Sequence, residues 1–314
     1  MNHHSLEALV DTVHWGYFDA SLKPVLTVDS GDTVVVDTVS GGPNELGSLD
    51  RLKPNHRKIA ENVQQGPGPH ILTGPIAVRH AEPGDTLEIQ IREVTLTEDW
   101  GWNIIRPLRG ALPEDFPFLS RRIIDIDRSL MRAQLPWGPE ISLDPFFGII
   151  AVAPKPSYGR VSSIEPREYG GNIDLKELKA GSSLFLPVMV PGALVSIGDG
   201  HAVQGDGEVC LTALETCLKG ELSFRLHKRS ISYPRAMTPT HLITLGFDPD
   251  LDDAAKQALR QMIRWLSELT SWTDEECYVF CSLACDLRVT QLVDGNKGIH
   301  AMVDRKYLVG SFPN

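Results

Sequence analysis

The stretch Gly198-Asp199-Gly200-His201-Ala202-Val203-Gln204-Gly205-Asp206-Gly207-Glu208 sets three acids, a histidine and a glutamine among four glycines. The apolar run Leu184-Phe185-Leu186-Pro187-Val188-Met189-Val190 precedes it, and Val209-Cys210-Leu211-Thr212-Ala213-Leu214 follows. The pattern predicts a strand delivering a glycine-softened polar loop and a second strand carrying the chain away. Loops mounted on rigid strands are where binding and catalytic side chains concentrate. In an extended segment Asp199 and His201 point to one side, as do Asp206 and Glu208, because side chains repeat every two residues. One imidazole with carboxylates suits Zn²⁺ or a similar ion, or proton transfer. A solvated hairpin and an oxygen-rich Ca²⁺ loop are the alternatives.

Outward from this block, the pattern is β-rich. Thr33 to Val39 is a β-branched run, Ile71 to Val78 is a second candidate, and Thr86 to Val94 alternates with Leu87, Ile89 and Ile91 on one face. Phe146 to Ala153 and Glu221 to His227 read as further strands. Helices come late. Asp252 to Leu269 has apolar residues at helical spacing with Asp252 as the expected cap, and Thr273 to Asp286 opens on Thr273 and Glu276, the spacing of a capping box. Strands first and helices last predict a mainly β, α+β chain rather than a doubly wound sheet. The expected organisation is one unit over 1–314, with a β-rich half at 1–155 and a helix-containing half at 156–314.

Composition bounds the function. With 42% hydrophobic and 23% charged residues, the 314-residue chain can build a full core. A net charge of −11 argues against nucleic acid and against an anionic membrane surface as partners. No apolar stretch is long enough to span a bilayer, and the N-terminal residues do not read as a signal peptide. The five cysteines are odd in number, which fits a reduced, cytoplasmic setting. Cys277, Cys281 and Cys285 share a helical face and read as small buried side chains.

Three other segments carry polar groups. Tyr169-Gly170-Gly171-Asn172-Ile173-Asp174 offers a hydrogen-bonding Asn172 and a ligand or base in Asp174, or else a turn that caps 175–178. His70 follows the stiff Gly66-Pro67-Gly68-Pro69. Asp37 with Gly41-Gly42-Pro43-Asn44 ends a strand and opens a loop. His80 and His300 are weaker candidates. Trp100, Trp102 and Trp137 mark an aromatic, proline-rich region between Glu98 and Gly138.

The order His70…Thr73-Gly74-Pro75, Glu82-Pro83-Gly84-Asp85-Thr86-Leu87, Pro145-Phe146-Phe147-Gly148, Gly170-Gly171-Asn172-Ile173-Asp174 and the 198–208 block resembles the acetamidase/formamidase family. Asp286 to Val293 and Gly298-Ile299-His300-Ala301 match its closing segment. The resemblance implies a mainly β fold with barrel-like halves and a smaller α/β part. It implies hydrolysis of an amide C–N bond with release of ammonia, a divalent metal (Zn²⁺ at the catalytic site, or Ca²⁺), and a homo-oligomer, a dimer first. Metal ligands are then expected among Asp174, Asp199, His201 and His70, and catalytic roles among Glu208, Asp206, Gln204 and Asn172, with Glu208 the proton carrier. Position 173 is Ile where Met is expected in the family. Trp100 and Trp102 are the expected substrate contacts, and a wide aromatic pocket admits a larger or cyclic amide, a lactam or an imide. A non-catalytic binding protein with a structural Ca²⁺ loop is the reading from another class.

Overall fold

The computed structural model describes residues 2–308. Two large sheets dominate. The first has nine strands in the order His3–Leu6, Thr33–Asp37, Leu218–His227, Thr86–Leu96, Ser183–Pro187, Arg235–Met237, His241–Asp248, Lys297–Asp304, Cys285–Gln291. The second runs Glu140–Ser142, Arg132–Gln134, Ser120–Asp127, Trp100–Ile105, Leu214–Glu215, Val195–Val203, Phe146–Ala151, Gly170–Asn172. Ile71–Val78 also pairs with Val195–Val203 and carries Val13–Trp15 and Leu26–Val28 beside it. The fold is therefore mainly β. Both sheets have free edge strands, so among the described residues neither closes into a complete barrel.

Alternation explains why the sheets face each other. Leu87, Ile89 and Ile91 are wholly buried, while Gln90 and Arg92 are exposed. These three residues share one core with Phe147, Ile149 and Ile150 of the second sheet. Phe147 lies against Gly220 so closely that a Cβ at 220 would sit 2.4 Å from its ring. The helix Leu251–Leu269 packs on His241–Asp248 and Lys297–Asp304 and buries Ala254, Ala258, Met262 and Leu266. Its cap is Asp250 rather than Asp252: the Asp250 carboxylate accepts from the N–H groups of Asp252 and Asp253. The helix Asp274–Ala284 opens on Thr273 with the expected capping box, and Cys277 and Cys281 are buried there. Residues 175–178 form a turn rather than a helix.

The 198–208 block itself departs from expectation. Residues 195–203 are strand, so Asp199 and His201 sit inside the sheet rather than on a loop. Gly198 and Gly200 are there for close approach, not for turning. A Cβ at 198 would meet the Ile71 carbonyl oxygen at 2.6 Å, and one at 200 the Thr216 oxygen at 2.4 Å. The outgoing strand is only Leu214–Glu215.

Candidate active site

His201 is wholly buried on the central strand of the second sheet. The ring edge-packs on Phe146 across the strand pair, with centroids 5.0 Å apart. Nδ1 lies 2.9 Å from Oε1 of Gln204. The Gln204 amide donates to the backbone oxygens of Asp174 at 2.9 Å and Thr290 at 3.3 Å, which fixes its carbonyl toward the ring. An oxygen acceptor there keeps a proton on Nδ1 and turns Nε2 toward the carboxylates.

Four carboxylates surround Nε2. Asp199 Oδ2 and Glu215 Oε1 each lie at 3.2 Å, and Asp174 Oδ1 and Glu208 Oε1 each at 3.9 Å. Asp294, also buried, faces the same group. Two sets of three ligand atoms result, Asp174–His201–Glu208 and Asp199–His201–Glu215, the atoms of each lying within 4.8 Å of one another. Both Asp174 oxygens and His201 Nε2 are buried without a hydrogen-bond partner.

Backbone geometry brings these acids in. Asp174, Asp199 and Glu208 all have left-handed φ, at 52°, 58° and 45°. Such conformations cost about 1–3 kcal/mol outside glycine and cluster where function demands them. Gly148, across from Asp199, leaves the room: a Cβ there would lie 2.5 Å from both Asp174 Oδ1 and Asp199 Oδ2. The glycine of the Pro-Phe-Phe-Gly segment is thus a floor beneath the carboxylates.

Five buried carboxylates face one buried imidazole, and the titration behaviour follows. Burial and the Asp174 charge push Glu208 well up. Burial, then Asp294, raises Asp174, and burial, then Glu208, raises Asp294. Burial and Asp199 raise Glu215 to about 7. Burial opposes ionisation of Asp199 too, but His201 and His70 outweigh it and hold that carboxyl below its usual range. For His201, burial is outweighed by Glu215 and Asp199, which favour the imidazolium. Excess buried negative charge of this kind is relieved by protons or by a cation.

The cluster borders a cavity of about 250 Å³. Asp199, Glu208, Glu215, Asp294, Asn172 and His70 line it, and Trp102, Ile104, Arg106 and Arg109 form part of its wall. The Gly41 turn, with Ser40 and Glu45, also reaches it.

Not every expected residue joins. His70 belongs to neither ligand set; Nδ1 bonds Ser163 at 2.9 Å and Nε2 stands 4.0 Å from Asp199. Asp206 points elsewhere, paired with Lys176 at 2.8 Å and Arg288 at 2.5 Å, because Gly205 and Gly207 turn the chain out of the sheet. Gln204 holds the imidazole and does not line the cavity. Trp100 packs in a side cluster with Leu46, Leu52 and Ile104 and does not line the cavity either, whereas Trp102 does. His300 is buried against Thr290, and Trp137 is exposed. Glu215 and Asp294 are the residues the sequence reading missed. Each is an acid directly following an apolar residue at a strand or loop end (Leu214-Glu215, Val293-Asp294), a signal visible only in retrospect.

Comparison with known proteins gives a consistent result. The acetamidase/formamidase family model matches residues 11–160 and 158–303. A formamidase of Methylophilus methylotrophus is 29% identical over 300 residues, covering 75% of this chain and 72% of that one. A Schizosaccharomyces pombe protein assigned as a formamidase is 27% identical over 270 residues, covering 69% of this chain; the match spans 64% of that protein's length. The crystal structure of a predicted acetamidase/formamidase from Thermoanaerobacter tengcongensis superposes with a TM-score of 0.87 at 26% identity, covering 99% of both chains.

Proposed function

The chain belongs to the acetamidase/formamidase family, amidohydrolases of C–N bonds, and on that premise we propose that it hydrolyses a small primary amide to a carboxylic acid and ammonia with the help of a divalent ion. The observation that carries the reading is the convergence of four carboxylates on the one free nitrogen of His201 beside a cavity.

The residues fit an ion. Two ligands sharing Zn²⁺ at ~2.1 Å are separated by ~3.4 Å in a tetrahedron and by at most ~4.2 Å. The separations of 3.2 and 3.9 Å around Nε2 fall in or near that range. His201, Asp199 and Glu215 are the proposed holders, with Asp174 the donor of the second set; Zn²⁺ is the proposed ion and Ca²⁺ the alternative. When bound, such an ion supplies Lewis acidity to a carbonyl oxygen and acidifies water.

The rest of the chemistry is assigned to side chains. Glu208 lines the cavity and is free of hydrogen-bonding duties to the fold, so it takes a proton from the attacking water and returns one to the departing nitrogen. Water adds to the amide carbon, the C–N bond breaks, and the –NH₂ group leaves as ammonia. Asn172 lines the cavity with its side-chain oxygen unpartnered, placed to accept from the amide –NH₂. His70 is assigned to hold Asp199 on the cavity side. The cytoplasm and a homodimer are the proposed setting.

Metal analysis and ammonia release test the reading together. His201→Ala should lose the ion and lower turnover of formamide or acetamide by at least ~10²-fold. Full metal content with unchanged turnover would overturn the ligand assignment. Cavity size favours one second reading, a larger or cyclic amide; ring opening of lactams without ammonia would identify it.

A further inference from the structure

The cavity is larger than formamide or acetamide requires. Its volume is about 250 Å³, against the three or four heavy atoms of those amides. Its wall is also polarised. Glu215 pairs directly across from Trp102, which places the carboxylate cluster beside that residue. From Trp102 the wall continues through every second residue, Ile104 and then Arg106, as an extended segment must.

Burial changes along the same line. Glu215 and His201 are buried, Arg106 is half-buried, and Arg109 is exposed at the cavity wall. The cationic side is thus the mouth. Arg106 pairs with Glu45, whose other oxygen accepts from Gly42 N at 3.0 Å. Among the described residues Arg109 has no ion-pair partner, so one positive charge at the wall is unspent. The Trp102 indole N–H, a donor only, is buried without an acceptor.

Resting on the amidase reading above, we propose that the preferred substrate is a primary amide carrying a carboxylate at its far end, a monoamide of a short dicarboxylic acid. The amide lies at the acid cluster and the carboxylate at Arg109, with Arg106 and the Trp102 N–H as further donors. Guanidinium–carboxylate pairing is charge-assisted and bidentate, and it gives selectivity where a neutral chain of equal length gains none. The bond that breaks is the same C–N bond, and the far carboxylate is unchanged.

The test compares kcat/KM for succinamate with that for butyramide, its neutral counterpart of similar length. A ratio of about tenfold or more is expected for the native protein. The ratio should fall toward one in Arg109→Gln and invert in Arg109→Glu, where a cationic amide such as β-alaninamide becomes the better substrate. Raising the ionic strength should lower the native ratio, because the pair is near solvent. Equal kcat/KM for succinamate and butyramide, or a ratio that Arg109→Gln leaves intact, overturns this inference alone. Ammonia from no amide at all overturns the amidase reading and this one with it.

Discussion

A missing methyl group holds the centre open. Gly148 has no side chain, and two carboxylate oxygens occupy the place a Cβ would take, 2.5 Å from it. Gly148→Ala is therefore expected to displace Asp174 and Asp199 together. Stability should fall by about 1–3 kcal/mol, as overpacking in a dense interior does, while turnover falls by ~10²-fold or more through misplacement of the cluster. Urea unfolding and ammonia release measured on the same sample check this; full activity in a folded variant would refute it. Part of the cluster was legible residue by residue. His201, Asp199, Asp174 and Glu208 stand together as the spacing and resemblance suggested. Glu215 escaped because a single acid beside Leu214 looks like an exposed strand end, and only the pairing of Leu214–Glu215 with Val195–Val203 shows that it points inward. Asp206 misled for the opposite reason. Period-two logic tied it to Glu208, but the strand ends at Val203 and the glycines break the alternation.

Elements were legible where one rule governed them. The alternating strand Thr86–Leu96 and both late helices emerge from periodicity, and the second helix from its capping box as well, whereas the first is capped by Asp250 and not by the expected Asp252. The 198–208 block did not emerge in this way, because glycine signals both turning and close packing, and only neighbouring strands decide which. Gly246 gives the same lesson as a prediction. It lies on His241–Asp248 beneath the long helix, where a Cβ would fall 2.0 Å from the Ala254 oxygen and 2.7 Å from the Ala258 nitrogen. Gly246→Ala should push Leu251–Leu269 off its sheet and cost about 3 kcal/mol. A urea midpoint within error of the native protein's would show that the helix seats with slack.

Over the whole molecule, buried histidines set the response to acid. His14, held by Ser196 at 2.8 Å, is lowered to about 4 by burial; burial likewise takes His56 to about 4 and His300 to about 3. Each is neutral when folded but gains a proton near 6.5 when unfolded. The unfolded chain therefore binds more protons between about 4 and 6.5, and this stabilisation, complete above 6.5, is lost as the pH falls through that window. His14→Asn should flatten the fall by about 1.4 kcal/mol per pH unit. Urea unfolding at a series of pH values reads the slope, and an unchanged slope would mean that His14 is charged in the folded protein. The raised site acids act with the opposite sign in the ion-free protein, so the comparison of variant with native protein isolates the histidine. The same scale governs how the centre comes into being. Val195–Val203 takes its neighbours from Ile71–Val78, Phe146–Ala151 and Leu214–Glu215, and Asp294 arrives later still. A polypeptide that stops short of residue 294 never gathers all five acids, so the full buried charge cluster exists only once nearly the whole chain has been made.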